Sequence, residues 1–285
     1  MLISFACENC GRRYRVESDQ VGKAALCKEC GTLLKVPVPG PLVQESPSGA
    51  PIYRHQARQH DFEPVTGDED TIEEVGNHIE RTLGPVENVW HEIVSDLVHI
   101  DVHPVEPSKE RPCWTLVTSG MSERPMRVPE GAEDFEYAEL AICLPPDWPL
   151  DMESFKDERI YWPVRLLKGL ARMPHEYDTW LGPAHSIHNG ESEAMTPYAA
   201  NTKFCCSVLI PPLVMLPEEF GSLETSLGKR VHFHVVWPLY REELEYKLEH
   251  GFDALLDKLE AGRVTEVVDV TRSNTCRKKK WWQLW

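Results

Sequence analysis

The chain has 285 residues, of which 41% are hydrophobic, so it can form one large domain or two small ones with a packed core. No run approaches the roughly 20 apolar residues that a membrane helix needs, and we expect a soluble, cytoplasmic protein without a secretory signal or a membrane partner. The formal net charge of -16 disfavours nucleic acid as a partner and favours a basic protein.

Two C-x-x-C-G motifs, at Cys7 and Cys10 and at Cys27 and Cys30, open the chain. Each motif can form a tight turn that points two thiolates at one ion, and its glycine takes a backbone conformation that a side chain would resist. The motifs therefore predict a zinc ribbon over residues 1–36 with a structural Zn²⁺ bound by all four sulfur atoms. The alternative is four free or redox-active cysteines.

The composition changes twice more along the chain. Residues 37–70 are rich in Pro, Gly, Ser and acids and lack apolar periodicity, which predicts a flexible linker. A globular domain is expected over 71–271, followed by a basic, Trp-rich tail over 272–285. The tail resembles segments that bind single-stranded nucleic acid or anionic membranes, but docking on the domain would bury its tryptophans and is the simpler interpretation.

The apolar pattern predicts the secondary structure of the globular domain. We expect helices at 71–83, 161–173, 241–250 and 252–260, and strands within 91–104 and at 114–118, 137–144, 203–210 and 231–237. The central helix should end at Pro174, which cannot continue it. The order of these elements predicts an α+β fold in which a single mixed sheet is flanked by helices.

Several phrases of this domain, in this order, resemble the suppressor-of-fused domain family. The residues that carry the resemblance are Ser119-Gly120-Met121-Ser122, Tyr137-Ala138-Glu139-Leu140, Leu170-Ala171-Arg172-Met173-Pro174-His175 and Pro238-Leu239-Tyr240. The resemblance covers roughly residues 71–262, and it implies a binding module without known enzymatic activity. Animal members hold Gli-type transcription factors, and bacterial members are often proposed to be immunity proteins that neutralise toxins. For this chain the resemblance implies a bacterial immunity or regulatory protein that sequesters a partner such as a toxin.

Two segments, 119–129 and 175–188, contain Gly, Pro, polar and aromatic residues that no helix or strand pattern requires. Loops on a rigid scaffold commonly bind partners. The residues that we expect to bind a partner are Ser119, Met121, Tyr177, Asp178, Trp180, His185 and His188. The alternative is that both segments simply wrap the core, with Met121 and Trp180 as buried plugs.

No motif of a known enzyme class occurs, so we predict that the protein is not an enzyme. The alternative is a metal-dependent hydrolase that uses the loop residues His175, Glu176, Asp178, His185 and His188, although such histidines more often bind backbone. A second candidate is the strand face with His99, Asp101 and His103, beside His232 and His234. A solvated strand face explains this second pattern equally well.

Overall fold

The computed structural model describes part of the chain in detail. The described residues are 2–7, 9–17, 20, 22–36, 42–55, 62–65, 67–190, 194–213 and 215–277. The tail residues Trp281, Trp282 and Trp285, for which docking was predicted, lie outside them. The chain divides into two compact units: Met1–Glu45 with Pro51–Gln56, and Ser46–Ala50 with Ala57–Trp285.

The first unit consists of three antiparallel strand pairs. These strands are β1 (Leu2–Ala6) with β2 (Arg13–Glu17), β3 (Ala24–Leu26) with β4 (Leu33–Lys35), and β5 (Leu42–Glu45) with β6 (Pro51–Arg54). The first two pairs flank the cysteine motifs, as the ribbon prediction requires. The third pair lies inside the segment predicted to be a linker. These strands were not predicted because four-residue strands are too short to show apolar periodicity.

The second unit is built on one seven-stranded sheet. Its strands are β7 (Asp101–Val105), β8 (Trp114–Ser119), β9 (Tyr137–Leu144), β10 (Ser186–His188), β11 (Cys206–Ile210), β12 (Ser222–Glu224) and β13 (Arg230–Leu239), and its helices are α1 (Glu69–Leu83), α2 (Glu158–Tyr177), α3 (Arg241–His250) and α4 (Phe252–Ala261). The strand order is β10-β11-β13-β9-β8-β7, and β12 pairs with β13. The pair β9–β13 is parallel and the other pairs are antiparallel, which confirms the predicted α+β class with one mixed sheet flanked by helices.

Apolar side chains cover both faces of the sheet. Phe233 of β13 belongs to a buried cluster with Ile79 of α1, and residues of α3 and α4 complete that cluster. Leu140 of β9 belongs to a second cluster with Trp162 of α2. Successive residues of a strand point to opposite faces of the sheet. Because both faces are apolar here, each face needs its own layer of apolar partners. Within the described residues, no helix is long and apolar enough to cross a membrane.

The helix α2 is longer than the predicted 161–173 at both ends. It begins at Glu158, because the Asp157 carboxylate accepts a hydrogen bond from the Arg159 amide at 2.9 Å and caps the helix. It continues past Pro174 to Tyr177, so the prediction that Pro174 ends the helix was wrong. Proline removes one helical hydrogen bond, and the burial of Leu170, Ala171 and Pro174 against the sheet offsets that loss.

Glu139 of β9 is a fully buried carboxyl group that fixes the turn after β8. Its Oε1 accepts hydrogen bonds from the Ser122 amide at 2.9 Å and from Ser122 Oγ at 2.6 Å, and its Oε2 accepts one from Thr118 Oγ1 at 2.6 Å. Burial raises the pKa of Glu139 to about 7, although the bonds from Ser122 and Thr118 act in the opposite direction.

The turn that Glu139 holds is closely packed. Gly120 has a φ of +101°, and a Cβ at this position would lie 1.7 Å from the His99 carbonyl oxygen, so only glycine fits. Met121 is fully buried, and its carbonyl accepts a hydrogen bond from His175 Nε2 at 3.0 Å. The turn is thereby tied to the last residues of α2.

The raised pKa of Glu139 predicts a pH-dependent stability. A carboxyl whose pKa is raised in the folded state contributes stability that is fully present below about pH 4.5 and is lost as the pH rises through about 7. Glu139→Gln removes this titration and keeps the size of the side chain. We expect the melting temperature of the variant to rise relative to that of the natural protein between pH 5 and pH 8, with a free-energy change of at most roughly 3 kcal/mol. A difference in melting temperature that is constant over this range would contradict the prediction.

Candidate functional site

The segments 119–129 and 175–188, predicted to bind a partner, lie side by side, and we call them the paired loops. The Arg127 amide donates a hydrogen bond to the Thr179 carbonyl at 3.1 Å, and the Leu181 amide donates one to Met126 Sδ at 3.4 Å. The Arg127 guanidinium also pairs with the Asp178 carboxylate. Two segments that are distant in the sequence therefore form one surface.

The residues predicted to bind a partner differ in their exposure. Asp178 is exposed, and four others are half-buried, namely Tyr177, Trp180, His185 and His188. Ser119 and Met121 are buried instead. The turn that Glu139 holds directs Met121 inward, and Ser119, the last residue of β8, has its Oγ 2.8 Å from His103 Nε2. These two side chains therefore belong to the core and not to a surface.

Four half-buried rings form what we call the aromatic row: Phe135, Trp180, His185 and His232. Ring centroids are 4.3 Å apart between Trp180 and His185. They are 6.4 Å apart between Phe135 and Trp180 and 4.7 Å apart between Phe135 and His232. Phe135 was not among the residues predicted to bind a partner, because it lies in an acidic turn without apolar periodicity.

His234 lies beside the row, with its ring parallel to that of His232 at a centroid distance of 6.2 Å. It is buried, and neither of its ring nitrogens has a hydrogen-bond partner among the described residues. Burial, together with the neighbouring His232 and His185, lowers the pKa of His234 to about 3, so the ring stays neutral. The site thus holds an imidazole with unused capacity to bind a polar group.

The loop residues proposed for the hydrolase alternative do not form a metal site in the described structure. His175 is bonded to the Met121 carbonyl, and His185 Nδ1 accepts a hydrogen bond from the Gly182 amide at 3.3 Å. Among the described residues, the groups able to hold a metal are the four cysteines and a set of His91, His99 and Asp101. His175 and His185 thus bind backbone, as the simpler interpretation predicted, whereas His188 Nδ1 is buried without a hydrogen-bond partner among the described residues.

The second candidate face, with His99, Asp101 and His103, is not a solvated strand face, because Asp101 and His103 are buried. Burial lowers the pKa of His103 to about 4. His103 Nε2 contacts Ser119 Oγ, while Asp101 contacts His99. Asp101 also contacts His91, which was not predicted to belong to this group. His232 and His234 are not part of this group, since the strands β8 and β9 separate β7 from β13.

The four cysteines of the ribbon form a compact set of sulfur atoms. Cys7 Sγ and Cys30 Sγ are 3.6 Å apart, as are Cys10 Sγ and Cys27 Sγ, and all four sulfur atoms lie within 4.8 Å of one another. Sulfur atoms around a tetrahedral zinc ion are separated by roughly 3.8 Å, because the Zn–S bond is about 2.3 Å long. The residues therefore fit a four-coordinate metal ion.

The backbone and the neighbours of the cysteines suit thiolates. Gly11 and Gly31 have φ values of +71° and +72°, as predicted for the two turns. A hydrogen bond from Thr32 lowers the pKa of Cys30 to about 5. For Cys10, a backbone hydrogen bond from Arg12 lowers the pKa, but burial and the neighbouring thiols outweigh it and raise the pKa to about 12. A bound cation would offset the repulsion between neighbouring thiolates that keeps the Cys10 thiol protonated.

Solved structures resemble this fold. The structure of a suppressor of fused homologue from Neisseria gonorrhoeae FA 1090 superposes with a TM-score of 0.52 at 16% identity, over 74% of this chain and 100% of that one. The structure of a Sufu-Fu complex superposes with a TM-score of 0.50 at 15% identity, over 75% of this chain and 93% of that one. No curated protein matches the sequence.

The sequence also matches the model of one protein family, described as Suppressor of fused protein (SUFU), over residues 96–273. This match spans more than half of the chain and includes the paired loops, the aromatic row and the buried Glu139. The chain therefore belongs to the suppressor of fused family, whose members are typically protein-binding regulatory modules.

Proposed function

We propose that this chain is a non-enzymatic module that binds and sequesters another protein through the paired loops and the aromatic row. The observation that carries the proposal is the meeting of two distant loops in one surface with half-buried rings. Binding energy concentrates in a few aromatic anchors that are surrounded by polar groups. Trp180 and Phe135 are such anchors, and Arg127 and Asp178 are polar groups beside them.

The partner that fits the chemistry of the chain is a basic protein. The net charge of -16 favours positively charged partners and repels nucleic acid. A Sufu-Fu complex with the same fold supports a protein as the partner. For a bacterial member the corresponding role is that of an immunity or regulatory protein, with a toxin as the sequestered partner. Cysteines arranged for a metal suit a reducing compartment, so we place the protein in the cytoplasm.

The ribbon has a structural role in this proposal. Its four cysteines would hold one Zn²⁺, and because all four positions are filled by protein, the ion has no open site for catalysis. We propose the predicted domain boundaries with two changes. The strands β5 and β6 lie within the predicted linker 37–70 and belong to the first compact unit. Arg272 pairs with the buried Glu243 of α3 at 2.6 Å, so we extend the globular domain beyond residue 271.

The zinc proposal predicts a spectroscopic signature. Replacing the metal with Co²⁺ should give the intense thiolate-to-cobalt charge-transfer absorption of a four-sulfur site in the near ultraviolet, because four sulfur atoms bind one ion. Replacing Cys7 and Cys27 together by Ser should abolish the band, because each C-x-x-C motif then loses one thiolate. Cys276→Ser, which changes a half-buried cysteine outside the ribbon, is the matched control and should keep it. A band of unchanged intensity in the variant without Cys7 and Cys27 would place the metal elsewhere.

The binding proposal predicts which variants lose a partner. With the full chain as bait in an extract of its native host, the captured partner is identified and its affinity is then measured with purified proteins. Tyr177→Ala, Asp178→Ala and His185→Ala should each weaken binding by at least about fivefold, because all three side chains lie in the paired loops and the loss of a side chain that contacts the partner costs about 1 kcal/mol or more. Their melting temperatures should change little, as expected for side chains that are not fully buried.

Met152→Ala is the control for this experiment, because Met152 is a 78% exposed apolar residue outside the paired loops. It should bind the partner with unchanged affinity. Association of the natural protein should also slow as salt rises from low to physiological concentration, because screening over about 8–10 Å weakens attraction to a basic partner. Unchanged affinity in all three loop variants would refute the surface, and an association rate independent of salt would refute the basic partner.

A further inference from the structure

His91, His99 and Asp101 form a group that the proposed function does not use. His91 Nδ1 lies 2.7 Å from Asp101 Oδ2, and His99 Nε2 lies 2.9 Å from Asp101 Oδ1. The three ligand atoms lie within 4.8 Å of one another. The side chain of Asp101 is only 2% exposed, that of His99 is 14% exposed and that of His91 is 68% exposed. The group is therefore built on a buried carboxylate and opens to solvent at one histidine.

The hydrogen bonds behind His99 fix the position of its proton. The Glu92 carboxylate is paired with Arg172, and its Oε2 accepts hydrogen bonds from the Ile100 amide at 3.2 Å and from Ser95 Oγ at 2.8 Å. Ser95 has one hydroxyl proton and gives it to Glu92. Ser95 Oγ must then accept at its other contact, which is His99 Nδ1 at 2.8 Å. The Nδ1 atom of His99 therefore carries a proton.

This arrangement leaves two electron pairs facing each other. In a neutral imidazole with its proton on Nδ1, the Nε2 atom is an acceptor. It points at the Asp101 carboxylate, which is also an acceptor, at 2.9 Å. Two acceptors at that distance repel each other unless a cation lies between them. The cation can be a second proton on His99 or a metal ion.

The third ligand favours a metal ion over a second proton on His99. A proton needs only His99 and Asp101, whereas His91 adds a second imidazole to the same carboxylate. Two imidazoles and one carboxylate suit divalent transition-metal ions. The hydrogen bond that His99 Nδ1 donates to Ser95 Oγ is also of the kind that orients metal-binding histidines from behind.

We propose that His91, His99 and Asp101 bind a divalent transition-metal ion such as Zn²⁺, separately from the four cysteines. Ligand atoms around a tetrahedral ion with bonds of 2.0–2.2 Å are separated by roughly 3.3–3.6 Å, so each histidine must move outward by about half an ångström. His91 can do so because most of its side chain is in solvent. The buried Asp101 stays in place, since its Oδ1 also accepts a hydrogen bond from the Glu92 amide at 3.0 Å. With three protein ligands, the ion keeps an open position at the surface, where water or a partner's side chain can bind.

Calorimetric titration of the metal-free full chain with Zn²⁺ tests this site. We expect two classes of bound zinc in the natural protein, with one class lost when Cys7 and Cys27 are both replaced by Ser and the other lost in His91→Ala. Ser95→Ala should weaken the second class by about 10–100-fold, because His99 is then free to place its proton on Nε2 and bond to Asp101 without a metal. A purely structural role for Ser95 would change the stability and leave zinc affinity unaltered.

His250→Ala is the matched control, because His250 is another surface histidine beside a carboxylate, that of Glu249. It should bind zinc as the natural protein does. His99→Ala removes a more buried ligand, and if it does not fold, His91→Ala still decides the question. The proposal is overturned if the natural protein binds no zinc beyond the ion that is lost when Cys7 and Cys27 are both replaced by Ser, or if His91→Ala keeps the second class at unchanged affinity. If the partner-binding proposal failed, the zinc titrations expected for the natural protein and for His91→Ala would not change.

Discussion

The buried carboxyl group of Glu139 is the constraint on which the arrangement of the paired loops depends. A carboxyl group removed from water is costly unless hydrogen bonds replace its hydration, and Thr118 and Ser122 supply them. The turn between these two residues therefore has one conformation. It directs Met121 into the core and brings the Met121 carbonyl to His175 at the end of α2. A single buried group on β9 thus determines where two loops lie.

Each candidate site likewise contains polar groups whose neighbours restrict the protonation states and hydrogen bonds that these groups can adopt. Four crowded thiols in the ribbon favour a cation, because they cannot all ionise without one. Asp101 and His99 present two acceptors to each other and favour a cation as well. His234 has no hydrogen-bond partner among the described residues and stays neutral beside the aromatic row. The apolar core supplies a rigid sheet, and these polar groups lie at the sites that we propose for binding.

Elements with marked ends were predictable from the sequence, and contacts between distant residues were not. The strand 137–144 and the helix 241–250 have the predicted bounds, because the strand is a short apolar run and the helix has the acids Glu242 and Glu243 in its first turn and ends before Gly251. The strands β10 and β12 have three residues each, which is too few for a pattern to indicate a strand. The apolar run placed Glu139 in a strand, but its hydrogen bonds come from Ser122 and Thr118, which lie on another part of the chain. For the same reason the paired loops were predicted as segments, while their meeting, the contribution of Phe135 and the part played by His91 required the structure.

Hydrogen exchange of Glu139→Ala and the natural protein, followed by mass spectrometry under conditions where both are folded, tests the central claim most directly. If Glu139 organises the surface, peptides from 119–128 and from 175–185 should both exchange faster in the variant, while peptides of α1 and α4 exchange at unchanged rates. Faster exchange confined to 119–122 would contradict the account, because the two loops would then be positioned independently. A uniform increase across the domain would also contradict it, since Glu139 would then be only one more contributor to global stability.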